Sequence, residues 1–306
     1  MKALRFHEYG GPEVLQIDDI PVPEAGAGEV LVRVSGAGVN PVDWKIREGH
    51  LKDAMPLELP AIVSSEFSGT IERLGDGVEG FNVGDEIYGI SHGGTCADYL
   101  VAKIGAFALK PPSMDLPDSG GIPLAALTAW QGLFDKGGLK AGQRVLVHAA
   151  SGGVGTFAVQ FAAWAGATVY GTTSSKHLDL VQELGAQPID YTSQKFEEVA
   201  TDLDLVLDLV GGETGQRSLA CLKPGGVLVA TVPGAPAEEA TAQGKRALDF
   251  MMEPSPEQLE KIGGLIQDLK VRPVIDAVVP LIRAFEAQKE NQLGHTVGKL
   301  VVDVRR

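Results

Sequence analysis

The chain is poor in cysteine and in positive charge and has no long apolar run, and each shortage removes a class of protein. Two cysteines, Cys96 and Cys221, stand far apart in 306 residues. They make no disulfide framework, no CxxC and no metal-ligand cluster, so a reducing compartment, the cytoplasm, is expected. Lys and Arg number 26 against 40 Asp and Glu, a formal net charge of −14. That balance opposes binding to nucleic-acid phosphates and to anionic membrane surfaces. No stretch of about 20 apolar residues appears, so no membrane span is expected. The opening "MKALRFHEYGGPEVLQI" carries charges and no long apolar segment, unlike a signal peptide. His7, His50, His92 and His295 are isolated and receive no catalytic role. Hydrophobic residues still make up 44%. A chain this long is more than one core needs, and two domains are expected.

What is present falls into two textures. From Met1 to about Pro117 the apolar runs are short and strand-like, as in "EVLVRVSGAGV", "DEIYGI" and "ADYLVA", and Gly, Pro and Asn punctuate them. Such spacing suggests an all-β or partly open barrel. Beyond that, strand-like runs alternate with helix-length segments: "RVLVHAA", "GVGTFAVQFAAWAG", "ATVYGTT", "HLDLVQELG", "DLVLDLVG". This is the βαβ rhythm of a parallel sheet. Near Pro254 the texture changes again. Ser255, Pro256 and Glu257 signal a helix start. "VRPVIDAVVP" and "GKLVVDVRR" read as strands with no sheet of their own, so they are expected to return to the first domain. The expected division is 1–117 with 254–306, and 118–253.

One stretch carries chemistry. The strand ending at His148 feeds Ala149-Ala150-Ser151-Gly152-Gly153-Val154-Gly155, and a helix follows. Gly152 would let the backbone approach a pyrophosphate, and Gly155 would let the helix pack on the strand. The helix N-terminus would offer N–H groups to the phosphate. Ala149 stands where the first glycine of G-x-G-x-x-G belongs, so the motif alone could equally be a tight turn; the strand–turn–helix–strand context favours a dinucleotide site. NAD-binding units place an acid about 20 residues on. Here the sequence is Thr173-Ser174-Ser175-Lys176. Hydroxyls and an ammonium would accept a 2′-phosphate that a carboxylate would repel, so NADPH is expected over NADH. Ser174 and Ser175 could also be a plain helix cap.

The whole chain resembles the medium-chain dehydrogenase/reductase superfamily in its zinc-independent quinone oxidoreductase branch. The resemblance is carried in order by "GAGVNPVDWKIREG", "SSEFSGTIERLGDGVEGFNVGDEIYG", "GGTCADYLV", "IPLAALTAWQGLFDKGGLKAGQRVLVHAASGGVG", "ELGAQPIDY", "LVLDLVGGET", "LKPGGVLV" and "GKLVVDV". It implies an α/β protein: a GroES-like β-barrel domain built from both chain ends, and a Rossmann doubly wound parallel sheet. It also implies NADP(H) as cofactor and a homodimer joined through edge strands, for which "RALDFMME" or "VRPVIDAVV" are candidates.

Departures from the zinc alcohol dehydrogenases set the expected chemistry. By the resemblance, the catalytic-zinc ligands fall on Asn40, Ser65 and Leu124, none a good zinc ligand, and Val42 replaces the proton-relaying hydroxyl. Glu66 remains, read as structural or ion-paired, and Cys96 as a packing residue. Without a Lewis acid, conjugated acceptors are easier than simple ketones, because the added charge spreads to an oxygen that modest donors stabilise. A quinone or an α,β-unsaturated carbonyl is therefore the expected substrate. Asn40, Asp43 and Lys45 are the candidate catalytic residues. Asn40 could bond the nicotinamide ribose or amide or the substrate oxygen, or cap a turn before Pro41. Asp43 matches a retained family acid, and Lys45 could donate to an enolate or lie in solvent. Thr128 matches a family position beside the nicotinamide, or bonds its own helix backbone. Val210 and Gly211, and Val232, follow strands at the edge where such ligands bind. The alternative to an enzyme is an NADPH-binding sensor or partner with little turnover, since no residue is an obvious proton donor.

Overall fold

A computed structural model describes all 306 residues. Its strands are, in chain order, β1 (Lys2–Phe6), β2 (Leu15–Asp19), β3 (Glu29–Val39), β4 (Ala61–Ile62), β5 (Glu66–Leu74), β6 (Glu86–Ile90), β7 (Tyr99–Lys103) and β8 (Phe107–Leu109). There follow β9 (Arg144–Val147), β10 (Thr168–Thr173), β11 (Gln187–Asp190), β12 (Leu203–Asp208), β13 (Leu222–Ala230) and β14 (Arg246–Asp249), then β15 (Ile275–Pro280) and β16 (Lys299–Asp303). They divide between two units.

The first unit comprises Met1–Leu124, Pro254–Gln267 and Ile275–Arg306. Its larger sheet runs β15-β16-β3-β5-β6-β8, with β7 paired to β3, and a three-stranded sheet runs β2-β1-β4. Leu4 and Phe6 of the small sheet share one buried apolar cluster with Val30, Val32, Phe67, Ile87 and Phe107 of the large one. Cys96 lies fully buried in the same cluster, as a packing residue does. The terminal strands do join this sheet: β16 pairs antiparallel with β3 and parallel with β15. The helix Pro256–Gln267 begins as expected, with the Gln258 N–H donating to Ser255 Oγ at 3.3 Å.

The second unit comprises Ala125–Glu253 and Asp268–Val274. Its six strands are all parallel, in the order β11-β10-β9-β12-β13-β14. Crossovers run one way from β9 and the other way from β12, so the strand order reverses between those two neighbours. In such sheets the carboxyl ends at that reversal form a ligand crevice. The inner strand β9 is apolar and buried from Val145 to Val147, as a strand covered on both faces is. One face packs Leu146, Val206, Leu228 and Phe196 together. The helices carry an aromatic group of their own, with Trp130 edge-on to Phe161 at 5.3 Å between centroids.

Two bounds differ from those expected. The first unit reaches Leu124 rather than Pro117, because Ser68 Oγ donates to the Leu116 carbonyl and the Leu124 N–H to Glu66 Oε2. Residues 268–274 belong with the second unit. Gln160 holds them there, accepting from the Arg272 N–H at 2.8 Å and donating to its carbonyl at 3.0 Å.

Candidate active site

Strand register assembles the first cluster. Leu300 lies opposite Val39 across β16 and β3, which brings Lys299 to Asn40. Ala37 lies opposite Phe67 across β3 and β5, which brings Glu66 to Gly38. Glu66 and Lys299 are 0% and 3% exposed at the side chain, with Nζ 2.8 Å from Glu66 Oε1. Lys299 also donates to Asn40 Oδ1 and to the Val39 carbonyl. Asn40 Nδ2 donates to Glu66 Oε1 at 2.7 Å, and the Leu124 N–H donates to Oε2 at 2.8 Å. Gly38 is obligatory beside this pair: a methyl there would lie 2.1 Å from Glu66 Oε1. The expected ion pair of Glu66 is therefore present, with Lys299 as its partner.

This geometry engages Asn40 inside the protein: its side chain is buried, Oδ1 accepts from Lys299 and Nδ2 donates to Glu66, so it positions both neighbours, with one amide N–H left over. Asp43 is buried as well, and its Oδ2 accepts the Asn40 N–H at 2.8 Å. Burial is the main cause that pushes its carboxyl up to about 7; Lys299 pulls it down and Glu66 pushes it further up. Lys45 lies two residues on, on another face of the helical turn Pro41–Arg47. It is only partly buried, with Nζ 5.6 Å from the Trp44 ring centre. Of the three candidate catalytic residues, Asn40 and Asp43 meet, and Lys45 stands apart from them. Sequence leaves Lys299 unassigned because 259 positions separate it from Asn40; the signal is a lysine opening a strand whose next three residues are apolar.

The second cluster lies at the carboxyl ends of β9, β10, β12 and β13. Ala149 takes a left-handed conformation, φ 49°. Gly152 is extended, and the helix Gly153–Trp164 starts with no side-chain cap on its N–H groups, which leaves them for an anion. A methyl at Gly155 would lie 2.2 Å from the Ala149 carbonyl oxygen, whereas at Gly152 nothing is nearer than that same oxygen at 3.3 Å. The helix thus packs hard on the turn while Gly152 and Ser151 stay partly open. That is the cradle a pyrophosphate needs, and the residues fit a dinucleotide. Asp208 Oδ1 accepts the N–H groups of Val210 and Gly211, both at 2.9 Å. Gly211 lies against Val232, whose Cβ would be 3.1 Å from a methyl there. Val210 is exposed. Thr128 is buried in the helix Pro123–Trp130, and its place in the site rests on the family resemblance.

Thr173 needs correction. It is 1% exposed, and its hydroxyl donates inward to Ser151 Oγ at 2.9 Å, so it ties the turn to β10 instead of facing a ribose phosphate. Ser174 is half-buried, and Ser175 and Lys176 are exposed just beyond it. His148 was read only as a strand end. It is buried between Thr172 Oγ1 at 3.0 Å and Ser218 Oγ at 2.8 Å. Burial drops it to about 4 against the opposing pull of Asp208.

Residues 26–121 match the alcohol dehydrogenase GroES-like domain, and 184–302 match the zinc-binding dehydrogenase family. The NADPH-dependent alkenal/one oxidoreductase, chloroplastic, of Arabidopsis thaliana is 33% identical over 317 residues, which are 99% of this chain and 79% of that protein. The quinone oxidoreductase of Coxiella burnetii superposes with a TM-score of 0.93 at 34% identity, covering 100% of this chain and 99% of that one. The chain belongs to the quinone oxidoreductase branch of the medium-chain dehydrogenase/reductase superfamily. The Escherichia coli quinone oxidoreductase complexed with NADPH, at 25% identity, shares the fold with a TM-score of 0.91 over 99% of this chain and 100% of that one. Although one match is described as zinc-binding, this oxidoreductase brings no three His, Cys, Asp or Glu together as metal ligands. The family's zinc-ligand positions meet around Glu66 instead: Asn40 and Leu124 bond its two oxygens, and Ser65 precedes it in the chain. No helix is long and apolar enough to cross a membrane.

Proposed function

We propose that the chain is an NADPH-dependent reductase of quinones and α,β-unsaturated carbonyls that works without zinc. The observation that carries this reading is the bonding at positions the family resemblance aligns with zinc ligands: Asn40 and the Leu124 N–H both donate to Glu66, which also holds the Lys299 ammonium. A lysine so engaged supplies a fixed charge and no open coordination position, so the chain offers no Lewis acid of its own there. The nicotinamide, when bound, supplies the hydride. The turn from Ala149 to Gly155 holds the pyrophosphate, with Val210, Gly211 and Val232 alongside. Ser174, Ser175 and Lys176 take the 2′-phosphate, a bulky dianion that repels carboxylates and suits hydroxyls and an ammonium. Asn40, Asp43 and Lys299 shape the loop that carries Lys45. Lys45 then donates to the oxygen on which charge collects.

Two buried unpaired cysteines fit a reducing compartment, and the cytoplasm is the one proposed. A dimer through β14 is proposed as well, since that strand forms an edge of the parallel sheet. β15 is an edge of the other sheet and the alternative seam. The test is NADPH oxidation with a panel of quinones, enones and the matching saturated ketones. Turnover of the conjugated acceptors alone supports the reading. Tight NADPH binding with no turnover of any acceptor would favour the sensor or partner role.

A further inference from the structure

The buried hydrogen bonds behind the phosphate turn have only one consistent direction. Ser218 Oγ spends its single proton on the Thr214 carbonyl at 2.7 Å. It can therefore only accept from His148 Nε2, 2.8 Å away, which must carry a proton. A neutral imidazole then has a lone pair on Nδ1. Thr172 Oγ1, 3.0 Å from Nδ1, must donate to it. Having donated, the same hydroxyl is free to accept the Ala149 N–H at 3.3 Å. One ordered chain results, running from Ala149 N–H through Thr172 and His148 to Ser218 and Thr214. The Phe196 ring packs edge-on against the imidazole at 4.7 Å between centroids and closes that side.

The chain ends on a backbone under strain. Ala149 is one of four non-glycine residues with positive φ, at 49°. Alanine disfavours that region by roughly tenfold in population, whereas glycine does not. The Ala149 carbonyl accepts the Gly152 N–H at 3.0 Å and is the atom a methyl at Gly155 would strike first, so its orientation bears on both glycines of the cradle.

We propose that His148 is a positioning residue for the dinucleotide: as the neutral Nε2–H tautomer it directs Thr172 onto the Ala149 N–H and so holds an alanine in the left-handed conformation the phosphate turn requires. This inference rests on the reading of that turn as the NADPH site. It places His148 behind the cradle, out of contact with the cofactor, and so assigns it affinity and not chemistry.

The test pairs His148→Phe with Ala149→Gly and titrates NADPH by fluorescence. His148→Phe is expected to raise the NADPH Kd about tenfold, the population cost of an unsupported left-handed alanine, with kcat at saturating NADPH within about twofold. Ala149→Gly in the His148→Phe background is expected to restore most of the affinity, because glycine adopts the conformation unaided. A merely structural loss would not be repaired by a glycine at that turn. Thr172→Val, which cuts the chain one link on, should weaken binding similarly and be rescued in the same way. The wild-type protein supplies an independent arm: 15N NMR of His148 should show protonated Nε2 and bare Nδ1 from about pH 6 to 8, with or without NADPH. An unchanged Kd in folded His148→Phe, no rescue by Ala149→Gly, or an Nδ1–H or imidazolium signal would each overturn the proposal. Failure of the wild-type chain to bind NADPH would overturn the reading of the turn and the proposal with it; normal wild-type binding confines any failure to His148.

Discussion

Two buried polar clusters differ in kind. Behind the phosphate turn, His148, Thr172 and Ser218 form a neutral chain in which every proton has a defined direction. In the β unit, Lys299, Glu66, Asn40 and Asp43 form a charged cluster in which Glu66 pairs with the ammonium and Asp43, held by the Asn40 N–H, feels it at longer range. The neutral chain can fix one backbone conformation at little desolvation cost. The charged cluster holds a buried cation and depends on every partner, because an unpaired buried charge is costly.

Breaking the charged cluster should have the largest effect. Lys299→Met leaves Glu66 buried without its counterion and should cost about 3–5 kcal/mol, read from urea unfolding midpoints at constant slope. Gly38→Ala tests the same pair by crowding. Its methyl would overlap Glu66 Oε1, and a loss of about 1–3 kcal/mol is expected. At the neutral cluster, Gly155→Ala pushes the helix off the Ala149 carbonyl. NADPH Kd should rise about tenfold, or about 1.4 kcal/mol. Lys176→Gln sharpens the cofactor reading: NADPH affinity should fall about fivefold, on the scale of one charge-assisted bond, while NADH affinity stays unchanged. Equal losses for both cofactors would contradict the 2′-phosphate assignment.

The smallest effect separates the clusters by pH. The Asp43 carboxyl is raised from the ordinary range to about 7 when folded. The folded chain therefore holds a proton there that the unfolded chain has released, and stability falls as pH rises from the unfolded value through about 7. Asp43→Asn removes this fall, so the variant should gain relative to wild type as pH climbs through that window. Parallel stability–pH curves for the two would show that Asp43 is not raised. The neutral chain predicts the opposite slope: His148 is held down from 6.5 to about 4, so between those values the unfolded chain holds a proton the folded chain lacks, and its contribution to stability rises with pH there and levels off above.

The parallel-sheet unit was legible because each βαβ element announces itself locally, in a run of apolar residues followed by a helical period. The phosphate turn was legible for the same reason, since Ala149 to Gly155 is one continuous stretch. Cross-strand partners were not. Lys299 reaches Asn40 only through the β3–β16 register, and nothing near either residue encodes that pairing. Thr173 was misread because strand periodicity does not say which hydroxyl at a strand end turns inward; its bond to Ser151 settles it. Among the candidates Asn40, Asp43 and Lys45, the first two meet through the Asn40 N–H, while Lys45, two residues past Asp43, faces another way.

The central claim is the proposed one, that the chain reduces conjugated acceptors without zinc. Its most direct test is steady-state NADPH oxidation with one quinone and one enone, before and after exhaustive chelation with verified removal of zinc. The account predicts unchanged turnover of both acceptors and no response to added zinc. Loss of turnover on chelation, with recovery on adding zinc, would contradict it.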